Sequence, residues 1–322
     1  MALYLITGGC GFIGSHLADA LLARGDQVRV LDDLSVGKRE NLDPACELIV
    51  GDIADTDDVT KAVSGVAGVF HLAAVASVVR CNEDWLGGHR ANLTGTIQVM
   101  DQAVKQGGGR PLPVVYASSA AVYGDVEVPV QTEQTPLKPL APYGADKMAS
   151  ELHARAGAQV FGLSTVGFRF FNVYGPRQDP SSPYSGVISI FVDRILAGQG
   201  VTIFGDGAQV RDFVFVGDVV RYLLAGMDHC VQKRAEQAAP VTEVFNVCTG
   251  KPISIKMLAT SLFDVCGREA NINLGPERTG DIKHSLGSAA QVNAFFDIKA
   301  ETDLQDGLQQ VVRYLSVEEE KA

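Results

Sequence analysis

The sequence has no C-x-x-C pair and no metal-ligand spacing: Cys10, Cys46, Cys81, Cys230, Cys248 and Cys266 stand alone along 322 residues. In a chain this long that pattern excludes a disulfide framework and reads as free thiols in a reducing compartment. No stretch of about 20 apolar residues occurs, so no membrane-spanning helix is expected. The first residues run directly into a strand pattern and leave no room for a signal peptide, so the expected location is the cytoplasm. Positive charge is also scarce. The net charge of −11 argues against a non-specific nucleic-acid binder or a membrane-surface protein, while still allowing a local basic pocket for an anionic ligand. Internal repeats and low-complexity runs are missing too. What is present is an ordinary globular composition, 46% hydrophobic and 20% charged, with length enough for one large α/β unit or two domains.

The chemistry-bearing stretch is Tyr143-Gly-Ala-Asp-Lys147. On a helix, residues four apart lie one above the other. A phenol with a pKa of about 10 is a poor base at neutral pH, and a nearby ammonium favours its phenolate. Pro142 suits the first turn of such a helix. Alone the Y-x-x-x-K spacing is common on surface helices, so its context has to support it.

That context begins at the N-terminus. The apolar run from Ala2 to Thr7 reads as a buried parallel strand. Gly8-Gly-Cys-Gly11-Phe12-Ile13-Gly14 follows, and then a helical pattern from Ser15 to Arg24 with Leu17, Leu21 and Leu22 on one face. In this arrangement Gly8 permits the tight turn, Gly11 lets the backbone approach a pyrophosphate, and Gly14 lets helix and strand pack closely. The second strand, Gln27 to Asp32, ends in an acid 18 residues after Gly14, near the roughly 20 expected for an acid on the adenosine ribose hydroxyls. A carboxylate there repels a 2′-phosphate, which favours NAD over NADP, with Asp33 as the other candidate acid.

The alternation continues through strands at Leu48–Val50, Gly68–Ala73, Pro113–Ala117 and Leu163–Phe168, with helices from about Asp55, from Leu93 to Gln106 and to about Phe161. Six strands alternating with helices predict a doubly wound, Rossmann-type parallel sheet over residues 1–172. Ligands bind outside the C-terminal strand ends of such a sheet. The glycine loop, Asp32, Asp52, the Leu72–Ala76 loop and Ser119 all fall there. After Asn172 the pattern changes, and residues 173–322 read as a smaller mixed α/β domain, with the chain returning to the first around 213–247. A helix is expected over Val187–Ala197, a strand over Val201–Phe204, a further segment over Val210–Val216 and helices near Ser254–Cys266 and Leu304–Leu315. Gln232 to Pro240 reads as an exposed polar loop and the Glu318–Glu320 tail as a frayed end.

Together, Thr7-Gly-Gly-Cys-Gly-Phe-Ile-Gly14, Asp32, Ser119 and Tyr143-x-x-x-Lys147 resemble the extended short-chain dehydrogenase/reductases. Arg169-Phe-Phe-Asn-Val-Tyr-Gly-Pro-Arg177, Gln209-Val-Arg-Asp-Phe213 and Arg278-Thr-Gly-Asp281 look like the nucleotide-sugar epimerases among them. The resemblance implies Tyr143 as acid/base, Ser119 on the sugar oxygen, and Lys147 binding the nicotinamide ribose and lowering the Tyr143 pKa. It implies NAD contacts from Gly8, Gly11, Phe12, Ile13, Gly14, Asp32, Asp33, Ser35, Gly37, Asp52, Ile53, Leu72, Ala73, Ala74, Ala76, Asn92 and Ser118, with Phe171 beside the nicotinamide. Ser77, Asn172, Val187, Thr202, Phe204, Arg211, Arg278, Asp281 and Ser285 match substrate positions. Arg211 and Arg278 would take the diphosphate, since a guanidinium fork suits phosphate. The helices around 93–106 and 142–161 match those that pair subunits into a four-helix bundle, so a homodimer is expected. Tyr123 reads as packing, His71 as a buried histidine rather than a base, and Arg177 as either a phosphate ligand or a loop cation.

Related dehydratases resemble Thr-Asp-Glu-Val-Tyr-Gly at the end of the fifth strand, and related decarboxylases Thr-Ser-Glu-Val-Tyr-Gly. Here the corresponding positions are Ala120 and Ala121, and a methyl group moves no proton. Oxidation and re-reduction at C4 remain, which is 4-epimerisation of a UDP-sugar. Epimerases restricted to UDP-glucose and UDP-galactose place a tyrosine four residues beyond the Asp281 position, and those that accept acetamido sugars a small residue; here it is Ser285. The uronic-acid pair competes, since Arg80 or Arg177 would match a 6-carboxylate. A non-catalytic NAD-binding regulator on the same fold would be expected to have lost Tyr143, Lys147 or Ser119.

Overall fold

The computed structural model describes residues 1–180, 186–277 and 282–321. In chain order the first elements are β1 (Leu3–Thr7), α1 (Phe12–Ala23), β2 (Gln27–Asp32), β3 (Glu47–Val50), α2 (Thr56–Val63) and β4 (Gly68–His71). Then come α3 (Val78–Glu83), α4 (Trp85–His89), α5 (Gly95–Lys105), β5 (Val114–Ser119), α6 (Pro142–Phe161) and β6 (Thr165–Phe170). They are followed by β7 (Asn172–Tyr174), α7 (Val187–Leu196), β8 (Val201–Phe204), β9 (Val210–Phe215), α8 (Val216–Ala235) and β10 (Thr242–Val247). The last are β11 (Pro252–Ser254), α9 (Ile255–Val265), β12 (Ile272–Gly275), β13 (His284–Ser285), α10 (Ala290–Phe296) and α11 (Leu304–Lys321). No helix among the described residues is long and apolar enough to cross a membrane.

The chain divides into two compact units. The first holds residues 1–124, 136–170 and 220–245, the second 125–135, 171–219 and 246–322. The excursion of 125–135 has no signature in the sequence.

A seven-stranded sheet in the order β10-β6-β5-β4-β1-β2-β3 organises the first unit. The pairs β1–β2, β1–β4, β2–β3, β4–β5 and β5–β6 are parallel. The strand order reverses between β1 and β4, and that switch point is where such sheets open a crevice at their C-terminal ends. Strand alternation sends side chains to both faces. Leu5, Leu31, Val69, Val114 and Tyr116 meet α2, α5 and α6 through Val59, Val99, Met100 and Ala154. On the other face Phe168 meets Tyr222 of α8.

Two sequence expectations are corrected. The sheet has seven strands, not six: β10 adds beside β6, with Thr165 N–H donating to Val241 O at 2.8 Å. Glu243 and Asn246 break the apolar run that would have marked it. Of the polar loop expected over Gln232–Pro240, residues 232–235 are instead the last turn of α8, which ends at Ala235, and 236–240 are the loop. Cations suit a helix C-terminus, and here the capping is reciprocal. Arg234 Nη2 donates to Gly107 O just beyond α5, while Arg110 Nη2 donates to Ala238 O just beyond α8.

β9 is the centre of the second unit: β7, β11 and β13 all pair with it. Its buried Asp212 accepts from Thr249 N, Thr249 Oγ1 and Gly250 N at 2.7, 2.7 and 2.9 Å. β8 and β12 form a separate parallel pair, and α7, α9 and α11 pack against one another.

Candidate active site

Pro142 opens α6 and Gly162, in the left-handed region at φ 71°, closes it. Tyr143 therefore sits in the first turn, half-buried, with Lys147 one turn on and buried. Lys147 Nζ stands 5.9 Å from the Tyr143 ring centre and donates to Ala117 O at 2.9 Å. The Ser119 hydroxyl, at the end of β5, hydrogen-bonds the phenol and also accepts from Ala121 N at 3.1 Å. Ser118 points the other way, as strand alternation requires, and its hydroxyl is buried on Glu151 Oε1 at 2.6 Å. The arrangement brings Ser119 to Tyr143 and directs the Ser118 hydroxyl elsewhere.

The sequence reading has the Lys147 ammonium lowering the Tyr143 pKa. In the protein itself burial dominates and pushes the phenol up to about 12, and the pull downward comes from the Ser119 hydrogen bond. Burial also brings the Lys147 amine down to about 8, opposed by the neighbouring Asp146 carboxylate. The spacing gave the proximity of the two groups, but the desolvation depends on the packing around them.

Most cofactor candidates lie at the C-terminal ends of β1 to β4. Gly11 caps α1 with no side-chain bond, and the first turn of α1 carries no acid. The leading amides of this 12-residue helix are thus left to an anion, as dinucleotide sites require. Asp32 is buried, and its two carboxylate oxygens accept from Cys10 N and Leu34 N, each at 2.9 Å. Burial pushes its carboxyl up, and those two amides pull it back. Each oxygen keeps a lone pair for a ribose hydroxyl. Gly37 lies against Asp32 and Cys10. The neighbouring Asp33 is exposed and takes Ser35 N and Oγ at 2.9 and 2.6 Å. After β3, Asp52 pairs with Arg90 at 2.7 Å and Ile53 packs on Gly95. These residues fit a dinucleotide.

His71 fixes the loop after β4. Thr96 Oγ1 donates to Asn92 O at 2.6 Å, so it accepts from His71 Nε2 at 2.9 Å. His71 Nδ1 then accepts from Thr7 Oγ1 at 2.8 Å, and Thr7 Oγ1 in turn accepts Ala73 N at 3.3 Å. Asn92 continues the chain of bonds, accepting Val75 N on Oδ1 at 2.8 Å. Burial lowers the His71 pKa to about 3, so the ring stays neutral and supports the Leu72–Ala76 segment rather than acting as a base.

The second unit holds Phe171 and most of the substrate candidates. Ser285 of β13 lies beside Arg211 of β9 in register, and Arg211 Nη1 donates to Ile282 O at 2.7 Å. Asn172 opens β7 opposite Phe213 of β9. Thr202 and Phe204 share the half-exposed face of β8, while Val201 and Ile203 are buried. Val187 is the first residue of α7. Ser77, in the first unit, caps α3 by accepting Arg80 N at 3.1 Å. Arg278 and Asp281 lie outside the described residues. Among the described residues no group of three His, Cys, Asp or Glu side chains is placed to hold a metal ion.

Several residues around the site take parts that the sequence does not assign them: Glu151 and Arg169 as a buried pair, Thr7 and Thr96 as the partners of His71, and His89, whose ring bonds Asp146 at 2.8 Å. The signal for Glu151 is its place one helical turn beyond Lys147 on the same face.

Residues 4–248 match the model of the NAD dependent epimerase/dehydratase family. The chain is 35% identical to the UDP-glucose 4-epimerase of Mycolicibacterium smegmatis over 96% of this chain and 97% of that one. It superposes with a TM-score of 0.91 on the Thermotoga maritima UDP-glucose 4-epimerase solved with UDP-glucose, at 33% identity, covering 98% of this chain and 99% of that one. A TM-score of 0.90 at 32% identity, with the same coverage, relates it to the UDP-N-acetylglucosamine 4-epimerase of Methanobrevibacter ruminantium solved with UDP-N-acetylmuramic acid.

Proposed function

The chain belongs to the NAD-dependent epimerase/dehydratase family as a UDP-sugar 4-epimerase, and within that activity we propose that it interconverts UDP-N-acetylglucosamine and UDP-N-acetylgalactosamine, with UDP-glucose and UDP-galactose as weaker or comparable substrates. The observation that carries this reading is Ser285 in register with Arg211. A serine leaves open the space that a tyrosine ring would fill, and overlap between such a ring and an acetamido group has no cheap relief in a packed site. The test is Ser285→Tyr with kcat/KM measured on both pairs. The variant should lose the acetylated pair selectively and keep UDP-galactose. Equal loss on both, or a wild type that prefers UDP-glucuronate, would overturn the assignment.

In the proposed mechanism Tyr143 takes the proton of the sugar C4 hydroxyl and Ser119 holds that oxygen. NAD, when bound, supplies the hydride acceptor and later the donor. The 4-keto sugar turns about its diphosphate link and presents its other face, and Tyr143 returns the proton. Arg211 grips the diphosphate end while small side chains leave the sugar loose. Lys147, fixed by Ala117 O, binds the nicotinamide ribose.

We also propose a homodimer through a four-helix bundle. α4 and α5 both pack against α6. Leu86 of α4 and Leu152 and Val160 of α6 are 78%, 54% and 68% exposed, apolar side chains of the kind a partner subunit would cover. A second copy would bring the same side chains by two-fold symmetry. Light scattering should give twice the 34.2 kDa chain mass, and a monomer at micromolar concentration would refute the interface.

A further inference from the structure

Tyr143, Lys147 and Glu151 are spaced four residues apart, on one stripe of α6. Each is held by one of three consecutive residues at the end of β5. Ser119 bonds the Tyr143 phenol, Ala117 O takes Lys147 Nζ at 2.9 Å, and Ser118 Oγ donates to Glu151 Oε1 at 2.6 Å. The third rung does not end at Glu151. Arg169 of β6 donates from Nε to Oε1 at 2.9 Å and from Nη2 to Oε2 at 2.7 Å, a bidentate pair with both side chains 7% exposed. Arg169 Nη1 reaches on to the Tyr123 hydroxyl at 2.9 Å, and the guanidinium lies 5.1 Å from the centre of that ring. Tyr123 follows the short helical turn Ala120–Val122 that Ser119 caps. The pair thus touches every backbone segment that carries Ser119, Tyr143 or Lys147.

A buried ion pair is a poor device for stability alone. Well-packed apolar side chains of the same volume serve as well or better, because the desolvation of two charges offsets their attraction. What the pair supplies is direction and distance, since a guanidinium fork meets a carboxylate in one plane. The reaction needs that fixity. A 4-keto sugar must find the same proton donor and the same hydroxyl from two orientations, and a misplacement of about 1 Å at such a site costs about a hundredfold in rate.

We propose that Glu151 and Arg169 are positioning residues for the epimerisation, fixing the register of α6 on β5 and so the separation of the Tyr143 phenol from the Ser119 hydroxyl. The inference rests on the acid/base reading of Tyr143 given above. Nothing in it requires either residue to touch substrate.

The experiment separates positioning from stability by removing both charges together. Arg169→Met alone leaves a carboxylate buried without its partner and should lower Tm sharply. Glu151→Leu with Arg169→Met removes the ion pair, and Tm should return to within a few degrees of wild type. Activity should not return with it. The double variant should keep its NAD and show kcat on UDP-N-acetylglucosamine or UDP-glucose reduced about 10- to 100-fold, with KM changed less than about threefold. A double variant with wild-type kcat, or a loss confined to KM or NAD content, would overturn the proposal. If the double variant does not fold, Ser118→Ala decides, because it keeps the ion pair and cuts only its bond to β5. A fall in kcat of about 3- to 10-fold supports the inference, and an unchanged kcat defeats it. Tyr143→Phe in parallel distinguishes the failures. Should that variant stay active, the acid/base reading is wrong; should it be dead while the double variant is fully active, only the positioning role is wrong.

Discussion

Tyr143→Phe should cut kcat by about 10² to 10⁴, the usual contribution of a general acid/base group. NAD content should be unchanged and Tm should move by no more than a few degrees. The ring would remain against Lys147 and only the hydroxyl would go, taking with it one hydrogen bond to Ser119. A half-buried bond of that kind contributes about 1 kcal/mol, a small shift for a chain of 322 residues. The size of the kinetic effect follows from the electrostatics. With no cofactor bound, burial keeps the phenol protonated with a pKa of about 12, while Lys147, brought down to about 8, carries its charge below that pH and loses it as pH rises through it. Turnover therefore depends on how far the Ser119 hydrogen bond eases the proton off Tyr143 against that burial. With the hydroxyl gone there is no proton to ease, and the residual rate of the variant should lose the part of the wild-type pH response that comes from Tyr143 and keep only the part that comes from Lys147. Purified variant and wild type compared on UDP-glucose across pH 6 to 9 give the answer. A variant keeping more than about a tenth of wild-type kcat would remove Tyr143 from the chemistry.

The first half of the chain was legible because its signals are local. Glycine spacing, a strand ending in Asp32 and Pro142 ahead of Tyr143 each act within a few residues, and the glycine turn, β2 and α6 stand where those signals put them. The preference for Ser119 over Ser118 came from the family resemblance, and strand alternation adds only that the two adjacent hydroxyls turn to opposite faces. What escaped depends on partners far along the chain. β10 needs β6 to satisfy its backbone, and its own composition is half polar. Glu151 on a helix and Arg169 in a strand resemble surface residues until the fold puts them 2.7 Å apart in the interior. The raised Tyr143 pKa is invisible in the sequence for the same reason. A lysine four residues on is visible in a sequence, while the burial that raises the phenol pKa is a property of the packed state. His71 shows the opposite case: the sequence reads a buried, satisfied histidine there, and the structure supplies the two threonines that hold it.

Gly14→Ala should strip the protein of its cofactor. A Cβ at position 14 would stand 2.2 Å from Gly8 O, 2.8 Å from Gly9 Cα and 3.0 Å from Gly8 C, all of them backbone atoms that no rotamer change can move. Gly8 cannot retreat either. It sits at φ 73°, and the position of its own missing Cβ is already 2.7 Å from Ala73 N. The turn is therefore pinned between α1 on one side and the loop after β4 on the other, and that loop is fixed in turn by the Thr7–His71–Thr96 bonds. The remaining response is for α1 to move off β1. That carries the uncapped amides of its first turn away from the pyrophosphate they would hold, and a charge-assisted bond falls steeply with such a displacement. Overpacking of this kind costs about 1 to 3 kcal/mol in stability, and the loss of two or three amide bonds to phosphate should raise the Kd for NAD by about a hundredfold or more. Gly25→Ala is the control, at the other end of the same helix. It has nothing within 4 Å of the added methyl but sits at φ 85°, so it strains the backbone without touching the site. Both variants should lose some Tm, while only Gly14→Ala should be purified without NAD and need a large excess of it for turnover. Full NAD occupancy in Gly14→Ala, or equal loss in the two variants, would show that close approach of α1 to β1 is not what builds the cofactor site.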